Sequence, residues 1–181
     1  MWSKLLNLPK ISIQDSFFEL GGHSLLAARM FLEIERELKA RLPLSTLFQA
    51  QSIADLAAVI DGEVEPPSWS SLTPIQPNGS KPPFYIMHAH GGNVLGYFEL
   101  STYLDRDQPF YGLQAKGLDG KSIEMRTLEE KAAAYIKEIR TLQPHGPYYL
   151  GGYCFGGNMA YAMAEQLRNE GEEVALLVLI E

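Results

Sequence analysis

Cysteine, positive charge and long apolar runs are all scarce in this chain of 181 residues. Its single cysteine, Cys154, cannot form an internal disulfide, so we expect a reducing compartment, the cytoplasm. Asp and Glu outnumber Lys and Arg by 22 to 15, which argues against nucleic acid or an anionic membrane surface as a partner. No apolar run approaches the length of a membrane span. The length suits one ordinary domain or two small ones.

The lone cysteine stands between glycines in the sequence Gly152-Tyr153-Cys154-Phe155-Gly156. An apolar run over 148–150 precedes it, and a helix-forming run over 158–168 follows it. This pattern predicts a strand, a tight turn and a helix, because a bulky neighbour would clash with so sharp a turn. The turn would expose the Cys154 sulfur above the helix N-terminus, where the helix dipole favours an anion. We therefore predict the nucleophile elbow of an α/β-hydrolase, with cysteine in place of the usual serine.

A second motif near the start of the chain contains Gly21-Gly22-His23-Ser24. Ser24 comes directly after this turn and opens a predicted helix, while Phe17, Phe18 and Leu20 are expected to anchor the preceding loop. The segment resembles the phosphopantetheine attachment site of acyl and peptidyl carrier proteins, and Ser24 matches the serine that carries the arm. The resemblance implies 4′-phosphopantetheine as a cofactor, covalently bound at Ser24. An ordinary helix N-cap is the alternative role of this serine.

The arrangement of elements along the chain divides it into three parts. Residues 1–61 are expected to form a small helical bundle, with a partial first helix. Residues 62–82 are rich in proline and acidic residues and predict a linker. Residues 83–181 alternate between strands and helices, which predicts a parallel sheet with helices on both faces.

Several local patterns give sharper expectations. Leu25, Ala28 and Leu32 recur at helical spacing and predict the buried stripe of the second helix. Capping boxes that begin at Ser52 and Thr127 predict the start of two further helices. The apolar run over 174–180 predicts a strand that is covered on both faces.

The chain as a whole resembles a carrier protein followed by the type I thioesterase found at the end of nonribosomal peptide synthetases. The thioesterase likeness rests on 83–97, which includes His90-Gly91-Gly92-Asn93, on 143–148, and on the elbow. The resemblance implies an all-α four-helix carrier domain joined to an α/β-hydrolase domain with a mostly parallel sheet, incomplete at the C-terminus. It also implies three partners: upstream synthetase modules, a phosphopantetheinyl transferase, and an acyl or peptidyl substrate.

The chemistry implied by this resemblance is acyl transfer. A thioester carried at Ser24 would pass to Cys154, and the product would leave by hydrolysis or cyclisation, in nonribosomal peptide or hybrid polyketide biosynthesis. The backbone amide of Phe155 and an amide at Gly91 would stabilise the oxyanion. Glu181 occupies the place of the acid that orients the catalytic histidine, although the family usually has aspartate there.

The histidine that this mechanism requires should follow the acid in the chain. All four histidines, His23, His88, His90 and His145, precede Cys154. We therefore expect a piece of a longer enzyme, truncated at both ends and inactive alone. Two alternatives stay open: a carrier-only module with an inert hydrolase remnant, and an acyltransferase that uses an external acceptor.

Overall fold

The computed structural model describes residues 1–44, 46–65, 70–118 and 127–181. The chain divides into two compact units, Met1–Trp69 and Ser70–Glu181. This division falls inside the predicted linker 62–82, of which residues 66–69 lie outside the described residues. The boundaries 1–61, 62–82 and 83–181 stay predictions. Across the described ranges, no helix is both long enough and apolar enough to span a bilayer.

The first unit is helical. Its elements are α1 (Trp2–Leu5), α2 (Ser24–Leu38), α3 (Thr46–Gln49) and α4 (Ile53–Ile60). The predicted capping box at Ser52 is confirmed: the Asp55 amide donates to the Ser52 hydroxyl at 3.1 Å, and the Ser52 amide donates to the Asp55 carboxylate at 3.2 Å. These two bonds satisfy amides that the first turn of α4 leaves without helical partners.

An aromatic cluster forms the core of this unit and fixes the loop before α2. The Phe17 ring is fully buried and meets Trp2 edge-on at 5.3 Å, while Phe18 stacks on Phe48 at 5.9 Å. A Cβ on Gly22 would overlap the ring and the carbonyl oxygen of Phe17. The second glycine of the motif is therefore required by this close approach.

The predicted buried stripe of α2 is wrong. Leu25 and Leu32 are 65% and 66% exposed, and Ala28 is only partly buried. The face that packs into the core carries Ala27, Met30, Phe31 and Ile34. Both sets recur at helical spacing, so the pattern alone does not decide which face packs inward; contacts with the aromatic cluster decide it.

The second unit is a five-stranded sheet with helices between the strands. Its elements are β1 (Leu72–Gln76), β2 (Phe84–Met87), α5 (Tyr97–Thr102), β3 (Phe110–Leu113), α6 (Leu128–Ile139), β4 (Tyr148–Tyr153), α7 (Phe155–Asn169) and β5 (Val174–Ile180). The strand order is β1-β3-β2-β4-β5, with β1 antiparallel to β3 and the other neighbours parallel. Because β2 and β4 are parallel neighbours, the loops that follow them meet at one edge of the sheet.

The main core lies between this sheet and two helices, α6 and α7. Tyr85, Met87 and Leu150 point from the strands into this layer and are fully buried. The Thr127 capping box is confirmed and begins α6, whose buried face includes Tyr135 and Ile139. This core packs against β2 and β4, and the elbow follows directly after β4.

The strand over 174–180 is present as β5, but it is not covered on both faces as predicted. It is the edge of the sheet, paired only with β4 among the described strands. Leu176, Leu179 and Ile180 are 43%, 54% and 39% exposed. An apolar run identifies a strand with two apolar faces, but it does not identify what covers them.

Candidate functional site

Cys154 lies at the junction between β4 and α7, as the sequence predicts. Its backbone adopts φ 54° and ψ −118°, and its side chain is exposed. A positive φ is rare for a residue with a side chain and costs about 1–3 kcal/mol. The junction therefore holds the sulfur in a strained, outward-pointing conformation, which is the geometry of a nucleophile elbow.

The glycines of the motif are required by close contacts. A Cβ on Gly152 would overlap the carbonyl group of Gly156. A Cβ on Gly156 would overlap the carbonyl oxygen of Met87 at the end of β2. The elbow thus folds back on itself and packs directly against the neighbouring strand.

Some of the backbone amides around Cys154 donate hydrogen bonds within the fold, and one does not within the described residues. The Cys154 amide donates to the Ile180 carbonyl at 2.8 Å, and the Gly157 amide donates to the Cys154 carbonyl at 2.9 Å. The Phe155 amide, at the first residue of α7, has no acceptor among the described residues. It is available to an oxyanion formed next to the sulfur.

The loop after β2 presents a second donor at the same edge of the sheet. The Gly92 amide donates to the Ala89 carbonyl at 3.0 Å, and the Ala115 amide donates to the Gly92 carbonyl at 2.7 Å. Gly92 has φ 78°, which favours glycine, and Gly91 is exposed. The Gly91 amide has no acceptor within the described parts of the chain, whereas that of Gly92 is already used.

Two tyrosines that the sequence analysis did not single out support this loop. The Tyr97 hydroxyl, on α5, donates to the Met87 carbonyl at 2.9 Å, and burial raises the pKa of Tyr97. Burial also raises the pKa of Tyr135, on α6, to about 12, so its hydroxyl stays protonated. The Tyr135 hydroxyl bonds to His88. Neither this contact nor that of Tyr97 with Met87 leaves a local sequence signal, because the partners are 47 and 10 residues apart.

His88 is buried directly beneath the loop. Its Nδ1 lies 2.7 Å from the Ala89 carbonyl oxygen, and its Nε2 lies 2.9 Å from the Tyr135 hydroxyl. Its ring also packs against the Phe155 ring, with centroids 5.9 Å apart. Burial lowers the pKa of His88; the hydrogen bond to Ala89 partly opposes this, and the nearby Lys131 adds to the lowering, so the imidazole is neutral near pH 7.

The lowered pKa of His88 makes folding stability depend on pH. Its ordinary pKa is 6.5, so the unfolded chain binds a proton more readily than the folded one as pH falls. The contribution of neutral His88 to the free energy of unfolding is fully present above pH 6.5, the pKa in the unfolded chain. It is lost as the pH falls through the lower pKa of the folded chain. We expect the free energy of unfolding in urea to decrease from about pH 7.5 to about pH 5.5. His88→Asn should show a smaller decrease; equal decreases would assign the effect to other groups.

Glu181 follows directly after Ile180, whose carbonyl accepts the Cys154 amide. The position is therefore at the same edge of the sheet as the sulfur, and Glu181 is exposed. No hydrogen bond between Glu181 and a histidine occurs in the described structure. His145 instead pairs with Glu172, at 3.0 Å, away from the elbow.

Ser24 is the first residue of α2, in the other unit. The residue before it, His23, makes no side-chain capping bond, and the first turn contains no acidic side chain. The Ser24 hydroxyl is partly exposed and has no hydrogen-bond partner within the described ranges. A partly exposed hydroxyl at the start of a helix of 15 residues, whose first amides have no side-chain cap, fits a phosphodiester, because the helix dipole favours negative charge there.

Comparison with known protein families gives two matches. Residues 82–181 match the thioesterase domain, and residues 1–60 match the phosphopantetheine attachment site. The chain is 45% identical to malpinin synthetase of Mortierella alpina and 42% identical to a dimodular nonribosomal peptide synthase of Bacillus subtilis (strain 168), in each case over its whole length. It spans 2% and 8% of the lengths of these relatives.

Solved structures agree with these matches. A four-domain nonribosomal peptide synthetase, crystallised in its holo form with AMP and glycine, matches 99% of this chain with 33% identity and a TM-score of 0.66; the match covers 14% of that protein. The NocB thioesterase domain, in a covalent complex with a nocardicin G analogue, matches 60% of this chain with 32% identity and a TM-score of 0.56; 48% of that domain is covered. The predicted α/β-hydrolase fold is thereby confirmed. The chain belongs to the thioesterase domain family of nonribosomal peptide synthetases, preceded by a domain to which phosphopantetheine is covalently attached.

Proposed function

We propose that Cys154 is the nucleophile that accepts an acyl or peptidyl group from a thioester. The observation that carries this proposal is the strained, exposed cysteine at φ 54°, at the same edge of the sheet as the Phe155 and Gly91 amides, neither of which has an acceptor among the described residues. Strain at one exposed nucleophilic side chain is more typical of a reacting group than of a packed thiol.

The proposed step conserves atoms and charge. The Cys154 thiolate attacks the carbonyl carbon of the thioester, and the tetrahedral oxyanion accepts hydrogen bonds from the Phe155 and Gly91 amides. The attack itself forms the new carbon–sulfur bond. Collapse of the oxyanion then restores the carbonyl and breaks the original carbon–sulfur bond, and the expelled thiolate takes up from solvent the proton that the Cys154 thiol gave to it. One thioester is thus exchanged for another, with no oxidation or reduction.

We propose Ser24 as the attachment point of phosphopantetheine, loaded by a phosphopantetheinyl transferase. When bound, the cofactor supplies a thiol that carries the acyl chain as a thioester. The free hydroxyl and uncapped amides at the start of α2 support this assignment. Because the arm is tethered to the same chain as Cys154, the effective thioester concentration is high and weak contacts suffice. We also propose that upstream synthetase modules supply the substrate, in nonribosomal peptide biosynthesis.

The reaction of the 181-residue chain should stop after this transfer. Release of the product needs a base that activates water or an internal nucleophile, and no histidine follows Cys154. We propose Glu181 as the acid that would orient such a base, from its place beside Ile180. The chain alone should therefore accumulate as the acylated protein and show no sustained thioesterase activity.

A soluble acyl thioester of N-acetylcysteamine tests this proposal. Mass spectrometry should show a single acyl group on Cys154, formed at least about tenfold faster than on free glutathione, because the two amides stabilise the oxyanion. Cys154→Ala should take up none. Absence of the acyl group on the wild-type chain would favour the carrier-only alternative. Rapid transfer onward to an added amine or alcohol would favour the acyltransferase.

A further inference from the structure

His88 contacts the turn that contains Gly91, through the Ala89 carbonyl, and the ring of Phe155, yet it is only 6% exposed and cannot touch a substrate. Its Nδ1 bonds to the Ala89 carbonyl, the same oxygen that accepts the Gly92 amide and closes the turn around Gly91. Its ring packs on Phe155, which supplies the other donor. One side chain therefore fixes the loop after β2 relative to the start of α7.

The hydrogen bonds of His88 determine its tautomer. A carbonyl oxygen can only accept, so Nδ1 carries the proton and donates to Ala89. In a neutral imidazole, Nε2 must then accept, and the Tyr135 hydroxyl donates to it. Since both ring nitrogens are used, His88 cannot act as the missing base.

We propose that His88 and Tyr135 are positioning residues: the hydroxyl of Tyr135 locks the Nδ1-protonated tautomer of His88, which holds the two oxyanion donors at their working separation. The inference rests on the proposed acyl transfer to Cys154. Loss of the Tyr135 hydroxyl lets the imidazole turn or change tautomer, and the Ala89 turn then shifts relative to Phe155. Errors of about 1 Å in such a geometry can cost on the order of 100-fold in rate.

Two reactions at the same sulfur separate positioning from general damage. Acylation by a thioester passes through an oxyanion, whereas alkylation by iodoacetamide displaces iodide and forms none. We expect Tyr135→Phe to slow acylation by about tenfold and to leave alkylation within about twofold of wild type.

A matched control is Tyr85→Phe. Tyr85 is also fully buried on the same side of the sheet, and its hydroxyl donates to Gln143 at 3.2 Å, away from the loop after β2. This variant loses a comparable hydrogen bond and should keep the wild-type rates of both reactions. Equal acylation rates for Tyr135→Phe and wild type would overturn the inference, as would an equal loss in both reactions.

The tautomer gives a readout that does not need activity. Long-range ¹H–¹⁵N spectra of the wild-type chain should show His88 protonated at Nδ1 near neutral pH. Protonation at Nε2 would overturn the inference even if the variant does not fold. A wild-type chain that is alkylated but never acylated would instead overturn the proposed function, and this inference with it.

Discussion

The Ser24→Ala variant is expected to take up no phosphopantetheine at all. In the wild-type chain, incubation with coenzyme A and a phosphopantetheinyl transferase should add the mass of one phosphopantetheine. The reason is that the Ser24 hydroxyl is the partly exposed nucleophile at the start of α2, where uncapped amides favour the incoming phosphate. Intact-protein mass spectrometry measures the result directly.

Ser12→Ala is the matched control for this experiment. Ser12 is exposed, more so than Ser24, and lies in the same unit, but its hydroxyl accepts the Gln14 amide in a local turn and Ser12 does not begin a helix. The control variant should be loaded like wild type. Loading of Ser24→Ala, or an unchanged mass in the wild type, would remove Ser24 as the attachment point.

The second large effect is expected at the elbow. Gly152→Ala should lower the free energy of unfolding of the second unit by on the order of 4 kcal/mol, because the added Cβ would overlap the Gly156 carbonyl. The clash is between this Cβ and backbone atoms, so no side-chain rotation relieves it. Relief requires movement of α7, which would also displace the Phe155 amide and slow acylation of Cys154.

Gly96→Ala provides the comparison for this substitution. A Cβ on Gly96 would meet no atom within 4 Å, and its φ is −64°, which any residue adopts. Its effect on unfolding in urea should be about 1 kcal/mol or less. Similar losses in the two variants would contradict the tight packing described at the elbow.

The parts of the fold that sequence patterns predicted are those governed by local sterics. The glycines at 152 and 156 predict a tight turn with no room for a side chain at these two positions. The capping boxes at Ser52 and Thr127 predict the starts of two helices. Apart from the contact of Gly156 with Met87, the interacting residues lie within four positions of one another. Such patterns depend little on the rest of the chain.

The predictions that failed depended on tertiary contacts. The spacing of Leu25 and Leu32 fits a buried face, yet Met30 and its neighbours pack inward instead. The apolar run of β5 predicted a covered strand, but β5 lies at the edge of the sheet. The chain order excluded His88 as the catalytic histidine and predicted no other role for it, because its partner Tyr135 is 47 residues away in the sequence.

The backbone of Cys154 has a consequence for how this protein evolves. At φ 54° and ψ −118°, glycine would sit without penalty, whereas cysteine gives up about 1–3 kcal/mol of folding free energy. Folding stability therefore favours glycine at position 154, whereas the proposed acyl transfer requires cysteine. Under the proposed acyl transfer, this strain cannot be removed by glycine without also removing the nucleophile.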